Sequence, residues 1–208
     1  MQTLTKAGEP NKPNGNIPKR GVVNPKPFRL NVKQYYQMDD LGFFRGRRVE
    51  LIEGEIVQMS PMKSPHMVAI QLINEALRTV FGRGFVVLSQ MPIRLSKTNE
   101  PEPDVTVVKG KIRDFVESLP NHAELVIEVS ESTLRFDRGE KAGLYARYGI
   151  QDYWILNLKG RCLEVHRHPV KSSDGKAYYS EILTVNAGDS ITPLIKPKSK
   201  IKVSDILP

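Results

Sequence analysis

The chain has 208 residues, which is long enough to bury a real core, and its 39% hydrophobic and 26% charged residues are typical of a globular protein. Its formal net charge is +8. No apolar stretch approaches the roughly 20 residues that span a bilayer, and the single cysteine, Cys162, excludes an internal disulfide framework and a thiolate zinc cluster. The polar N-terminus lacks the apolar centre of a secretory signal, so we expect a cytoplasmic protein with no membrane contact.

The first 27 residues are predicted to form an arm outside the folded part of the chain. They contain five prolines and no apolar pattern that could pack, so we expect residues 1–27 to be disordered or loosely attached and residues 28–208 to form one domain. Residues 1–27 hold five basic residues against one acid, and residues 190–208 hold four against one. This location of the charge favours solvated tails, although basic ends add nonspecific attraction to nucleic-acid phosphates.

The domain is predicted to begin with a short helix and a hairpin. Residues 31–41 are compatible with the helix, and residues 48–52 and 55–59 have the apolar, extended pattern of two strands. Glu53-Gly54 lies between them, and an acidic residue followed by glycine is typical of a tight hairpin turn.

A longer helix and three strands are predicted next. A broad apolar stripe from residue 64 to about residue 81 predicts the helix, with Ser64 as N-cap and Pro65 in the first turn. Three strands are expected, at residues 85–88, 105–108 and 125–129, and the first of them could extend to residue 93. A short helix is expected within residues 112–119, between the second and third strands.

A second helix is predicted from Asp137, which forms a capping-box pattern with Glu140, to residue 148, before Gly149. A buried strand at residues 153–156 and further strands after residue 161 complete the domain. The order of helix, three strands, helix and strand, with a leading hairpin and a trailing β extension, predicts an α/β (α+β) fold with a mixed sheet.

Two carboxylates stand out because each lies at the edge of a strand-like apolar run. Asp104 opens the run of residues 105–108, and Glu128 closes the run that begins at residue 125. In neighbouring antiparallel strands, the start of one lies beside the end of the other, so the two acids would meet at one end of the sheet. A carboxylate there is costly unless it is paired or bound to a metal, which indicates an acidic metal site.

Lys141 is expected on the core-facing side of the second helix. Lys141, Leu144, Tyr145 and Tyr148 follow the i, i+3, i+4, i+7 spacing of one helical face. The lysine either packs its stem and extends its amine to water, or it meets an anion, for which one of the two carboxylates or a bound phosphate would serve. His66, early in the first long helix, is a further candidate, although a histidine at a helix start is more often incidental.

These features resemble the PD-(D/E)XK restriction-endonuclease-like superfamily and, more closely, its Uma-type endonuclease family. The superfamily pattern places a lysine two residues after the glutamate, where this chain has Ser130, and the resemblance implies that Lys141 replaces it. The likeness covers about residues 30–208. The matching stretches, in chain order, are residues 49–57, 59–61 with His66, 103–105, 125–130, 137–141, 144–146, 148–150 and 153–154.

The resemblance implies a restriction-endonuclease-like core and Mg²⁺-dependent hydrolysis of DNA phosphodiester bonds, with Mn²⁺ as a possible replacement. Asp104, Glu128 and the backbone carbonyl of Val129 would hold the metal ion. Lys141 would steady the attacking hydroxide or the developing charge, and His66 would orient a water or a second metal.

Two other functions stay open at this point. A nuclease-like fold could bind nucleic acid or a protein partner without catalysis, since Ser130 stands at the usual lysine position and the middle of the chain is nearly neutral. A hydrolase of a small phosphorylated molecule is the third possibility. If the protein cuts both DNA strands, two active sites are needed, which makes a homodimer plausible.

Overall fold

The computed structural model of the protein describes residues 25–208. The arm predicted for residues 1–27 lies outside this range except for residues 25–27, which are exposed and have no regular structure.

A six-stranded mixed sheet forms the centre of the protein, and its strand order is β3-β4-β5-β6-β7-β8. Neighbouring strands are antiparallel except β5 and β6, which are parallel. The elements, in chain order, are α1 (Val32–Asp40), β1 (Val49–Ile52), β2 (Glu55–Gln58), α2 (Ser64–Phe81), β3 (Phe85–Ser89), β4 (Val105–Lys109), β5 (Leu125–Ser130), α3 (residues 134–147), β6 (Asp152–Asn157), β7 (Cys162–Lys171), β8 (Ala177–Asn186), β9 (Ser190–Ile191) and β10 (Ile201–Lys202).

Each face of the sheet is covered by a helix, because both central strands alternate apolar side chains toward the two sides. Ile73 and Leu77 of α2 pack on one face against a cluster that includes Ile127 of β5. Tyr145 of α3 packs on the other face with Val126, the neighbour of Ile127. This mixed sheet between helices confirms the predicted fold class.

The β1–β2 hairpin is a separate two-stranded sheet, and β9 and β10 form another. The hairpin turn follows the sequence expectation, since Glu53 and Gly54 both have positive φ, at 51° and 74°. None of the helices within residues 25–208 is long and apolar enough to cross a bilayer.

Three element boundaries differ from the prediction. β3 ends at Ser89 and does not continue to residue 93, because Gln90 takes a positive φ of 50° and Pro92 has no N–H for a ladder. Ser64 lies inside α2, whose N-cap is Lys63. Of residues 112–119, only Ile112–Phe115 are helical, as one 3₁₀ turn.

The beginning of α3 also differs from the prediction. Asp137 is not the N-cap, because its N–H already donates a helical bond of 2.9 Å to the carbonyl of Thr133. The helix starts with the α-helical turn Leu134–Phe136, passes through the π-helical turn Asp137–Lys141 and ends with the α-helical segment Ala142–Arg147. π turns are rare and occur frequently at functional sites.

Candidate active site

Asp104 and Glu128 lie at the same end of the central sheet. β4 and β5 pair with Val105 opposite Ile127, so Asp104, one residue before β4, lies beside the last part of β5. The N–H of Val129 donates a 2.9 Å hydrogen bond to Oδ2 of Asp104, which joins the two strand ends directly. The structure therefore brings the two predicted acids together.

Glu128 is buried, with 3% of its surface exposed, in a shell of polar partners. Its Oε1 atom accepts hydrogen bonds from Nζ of Lys141 at 2.9 Å and from the hydroxyl of Tyr145 at 2.8 Å. Burial raises the pKa of Glu128 to about 8; the Lys141 ammonium opposes this, while the nearby carboxylates, Asp104 first, add to it. Within the described residues, both hydrogen bonds of Glu128 fall on Oε1, which leaves Oε2 free for another ligand.

Lys141 is fully buried at the end of the π turn, between two carboxylates. Its Nζ lies 2.9 Å from Oε1 of Glu128 and 3.3 Å from Oε1 of Glu50. Burial alone would lower the pKa of Lys141, but the two carboxylates outweigh it and raise the pKa above its usual range. The lysine thus meets an anion, one of the two alternatives that its helical position left open, and its amine does not extend to water.

His66 contacts the first acid. Its Nε2 lies 2.9 Å from Oδ1 of Asp104, so the two oxygens of Asp104 are used by a side chain and by the backbone of β5. α2 positions this histidine because its apolar stripe packs on the sheet and places the first turn over the strand ends.

Glu50 and Asp137 lie at the site, although neither is among the predicted site residues. Glu50 is 1% exposed in the apolar strand β1, the same pattern of an acid among Val, Leu and Ile that marked Glu128, and this signal could have found it. Asp137 was predicted as a helix cap. It is instead buried and accepts a 2.7 Å hydrogen bond from the Thr133 hydroxyl, and burial raises its pKa.

A cavity of about 360 Å³ opens at this end of the sheet. Four acids line it, Asp104, Glu128, Glu131 and Asp137, together with the cations Arg48 and Lys63. His66 and Val129 also line it, together with the methionines and the proline of the segment between the hairpin and α2. Lys141, Tyr145 and Glu50 do not line this cavity and lie behind its acidic wall.

The residues at the cavity suit a divalent cation that keeps part of its water shell. Among residues 25–208, no group of three or more histidine, cysteine, aspartate or glutamate side chains is placed to hold a metal ion. Two carboxylates and a backbone carbonyl are a smaller donor set, and Mg²⁺ is commonly bound through one or two carboxylates plus waters and substrate phosphates. The free Oε2 atom of Glu128 and the hard oxygen donors therefore fit such an ion.

Comparisons with known proteins place this geometry in context. A family model described as "Putative restriction endonuclease", Uma2, matches residues 32–197. The crystal structure of a putative nuclease belonging to DUF820 from Anabaena variabilis matches with a TM-score of 0.58 at 15% identity, over 76% of this chain and 88% of that one, which shows a shared fold.

A weaker structural match is the type IIG restriction endonuclease BpuSI, with a TM-score of 0.36 at 14% identity, over 61% of this chain and 15% of that one. No curated protein matches the chain.

Proposed function

The chain belongs to the Uma2 family of restriction-endonuclease-like proteins, and from this premise we propose that it is a Mg²⁺-dependent endonuclease that hydrolyses phosphodiester bonds of DNA. The observation that carries the proposal is the convergence of Asp104 and Glu128 from adjacent strand ends onto one cavity. Two acids brought to the same water-accessible place would repel each other, and a bound cation would compensate their charge.

Asp104, Glu128 and the backbone carbonyl of Val129 would hold the divalent ion. In an extended strand, the N–H and C=O of one residue point to the same edge. Since the N–H of Val129 points to Asp104, the carbonyl of Val129 faces Asp104 as well. When bound, a divalent cation polarises the phosphate and lowers the pKa of a water to generate the nucleophile.

Lys141 and Tyr145 orient Glu128 for this role. Their two hydrogen bonds fix Oε1, so the carboxylate can present only Oε2 to the cavity. The buried ammonium also adds a fixed positive charge behind the site, where developing negative charge on the phosphate would be stabilised. The resemblance implies that Lys141 steadies the attacking hydroxide or the developing charge; to reach the hydroxide, its amine would have to leave Glu128.

The surroundings of the cavity suit a nucleic-acid substrate. Arg48 and Lys63 line the cavity, where they pair with Glu102 and Glu131, and would exchange these partners for the phosphates that flank the scissile bond. His66 would orient Asp104 or a water through its 2.9 Å contact with the carboxylate. Mn²⁺ would serve in place of Mg²⁺ as the divalent ion. A homodimer would supply the two active sites needed to cut both strands.

Cleavage of plasmid, single-stranded and branched DNA by the purified protein with Mg²⁺ or Mn²⁺ tests the proposal. Asp104→Ala and Glu128→Ala should each abolish metal-dependent cleavage, whereas Glu117→Ala, which removes an exposed acid away from the cavity, should not change it. Retained cleavage in both cavity variants would refute the proposal. Calorimetry that shows no carboxylate-dependent metal uptake, together with a DNA gel shift at low salt, would indicate a binding module.

A further inference from the structure

We propose that Glu50 is a positioning residue that sets the geometry of both metal-binding carboxylates from the β1–β2 hairpin. This inference rests on the proposed function of the site. Glu50 lies outside the central sheet, in the separate two-stranded sheet of β1 and β2, yet its carboxylate is buried behind the acidic wall of the cavity.

One oxygen of Glu50 acts on the second acid through Lys141. Oε1 lies 3.3 Å from Nζ of Lys141 and has no hydrogen-bond partner in the described part of the chain, so this ion pair is its compensation. Lys141 in turn donates to Oε1 of Glu128. A buried ammonium paired with two carboxylates has fewer orientations available about its last bonds than one paired with a single carboxylate, so Glu50 restricts the amine that holds Glu128.

The other oxygen acts on the first acid through the backbone. Oε2 accepts a 3.0 Å hydrogen bond from the N–H of Glu102, two residues before Asp104. Glu102 lies between Pro101 and Pro103, whose rings fix φ and stiffen the link to Asp104. A single side chain therefore connects the approach to Asp104 with the lysine that holds Glu128.

Glu50 does not line the cavity, so it would act only through these neighbours and would not touch DNA. A change at Glu50 should therefore alter metal binding without altering direct contacts to the substrate. Outer partners of metal ligands typically contribute about 10- to 100-fold to metal affinity or activity. The same range is expected here, in Mn²⁺ affinity and in kcat, with the KM for DNA nearly unchanged.

The test is calorimetric titration of the purified 208-residue chain with Mn²⁺, alongside DNA cleavage kinetics and thermal melting. Glu50→Gln keeps the size of the side chain and an acceptor for Glu102 but removes the charge. Glu50→Asp keeps the charge but shortens the reach to Lys141. Glu55→Gln is the matched control, because Glu55 is an exposed acid on the same hairpin. Both Glu50 variants should bind Mn²⁺ about 10- to 100-fold more weakly, and the control should bind like the unmodified protein.

The outcomes separate the two proposals. If the unmodified protein takes up no Mn²⁺, the proposed function is wrong. If it does, and both Glu50 variants keep its Mn²⁺ affinity and kcat, the positioning role is wrong while the proposed function stands. A lower melting temperature with unchanged affinity would show a purely structural role and would also overturn the inference. If Glu50→Gln does not fold, the Mn²⁺ affinity of Glu50→Asp decides.

Discussion

Nζ of Lys141 lies 2.9 Å from Oε1 of Glu128; both side chains are buried, Glu128 in the wall of the cavity and Lys141 behind it. Charges removed from water are costly unless they are paired and hydrogen-bonded, and this pair is held further by the Tyr145 hydroxyl and by Glu50. The contact links the rare π turn of α3 to the end of β5 for which we propose metal binding. The same side chains therefore contribute to the stability of the fold and to the proposed chemistry.

Removal of the buried ammonium should destabilise the protein strongly. Lys141→Met leaves Glu50, and above about pH 8 also Glu128, without a counter-ion, and breaking a buried pair in this way costs about 3–5 kcal/mol. The free energy of unfolding, measured by urea denaturation without metal, should fall by this amount. Lys109→Met removes an exposed partner of Glu124 and should cost no more than about 1 kcal/mol. A Lys141→Met variant as stable as the unmodified protein would contradict this account.

The affinity for a divalent cation should depend on pH below about 8. Burial raises the pKa of Glu128 to about 8, so below that pH the cation must displace a proton. Calorimetry in buffers of different ionisation enthalpy should detect the released proton, and the apparent affinity for Mn²⁺ should rise by up to about tenfold per pH unit and then level off above pH 8. An affinity that is constant between pH 6 and 8 would argue against Glu128 as a ligand.

The same pKa has a consequence for the metal-free protein. Because the folded-state pKa of Glu128 lies above its unfolded value of 4.5, the group binds a proton more tightly in the folded state. The tighter proton binding of Glu128 therefore adds to the free energy of unfolding at low pH, and this addition is lost as the pH rises from about 4.5 to about 8. The difference in the free energy of unfolding between Glu128→Gln and the unmodified protein should therefore change with pH across this window, as urea denaturation at several pH values would show.

His66→Ala should impair the site without unfolding the protein. The histidine is held by α2 and contacts only one oxygen of Asp104 among the acids of the cavity, so its loss removes an orienting partner of a proposed metal ligand. Cleavage or Mn²⁺ affinity should fall by about 10- to 100-fold. His122→Ala, which changes an exposed histidine, is the matched control. Equal activity of the two variants would remove His66 from the site.

A second buried ion pair should affect stability alone. Arg167 donates a 2.8 Å hydrogen bond to Oδ1 of Asp152, and the other carboxylate oxygen, Oδ2, accepts from the N–H of Leu194, which fastens the C-terminal segment to the sheet. Arg167→Met should lower the free energy of unfolding by about 3 kcal/mol because Asp152 stays buried. Its Mn²⁺ affinity should equal that of the unmodified protein, and a comparable loss of affinity would show that the two ion pairs are coupled.

Much of the fold could be predicted from local patterns. The hairpin turn at Glu53-Gly54, the apolar stripe of α2 and the β-type runs depend on φ preferences and side-chain periodicity, which neighbouring residues decide. The family resemblance built on these motifs is confirmed by the match over residues 32–197. The start of α3 was predicted wrongly at Asp137, because a capping pattern does not reveal that the helix already begins at Leu134.

The sequence by itself determined the mixed α/β architecture, the family and the acids at two strand edges, since each is recorded in short stretches of residue types and spacing. Only the tertiary structure decided that Glu50 meets Lys141, that Lys141 lies behind the cavity and that Asp137 lines it. These relationships join residues far apart in the chain. Their physical reason is burial: which charges must pair depends on which elements exclude water together, and no local pattern contains that information.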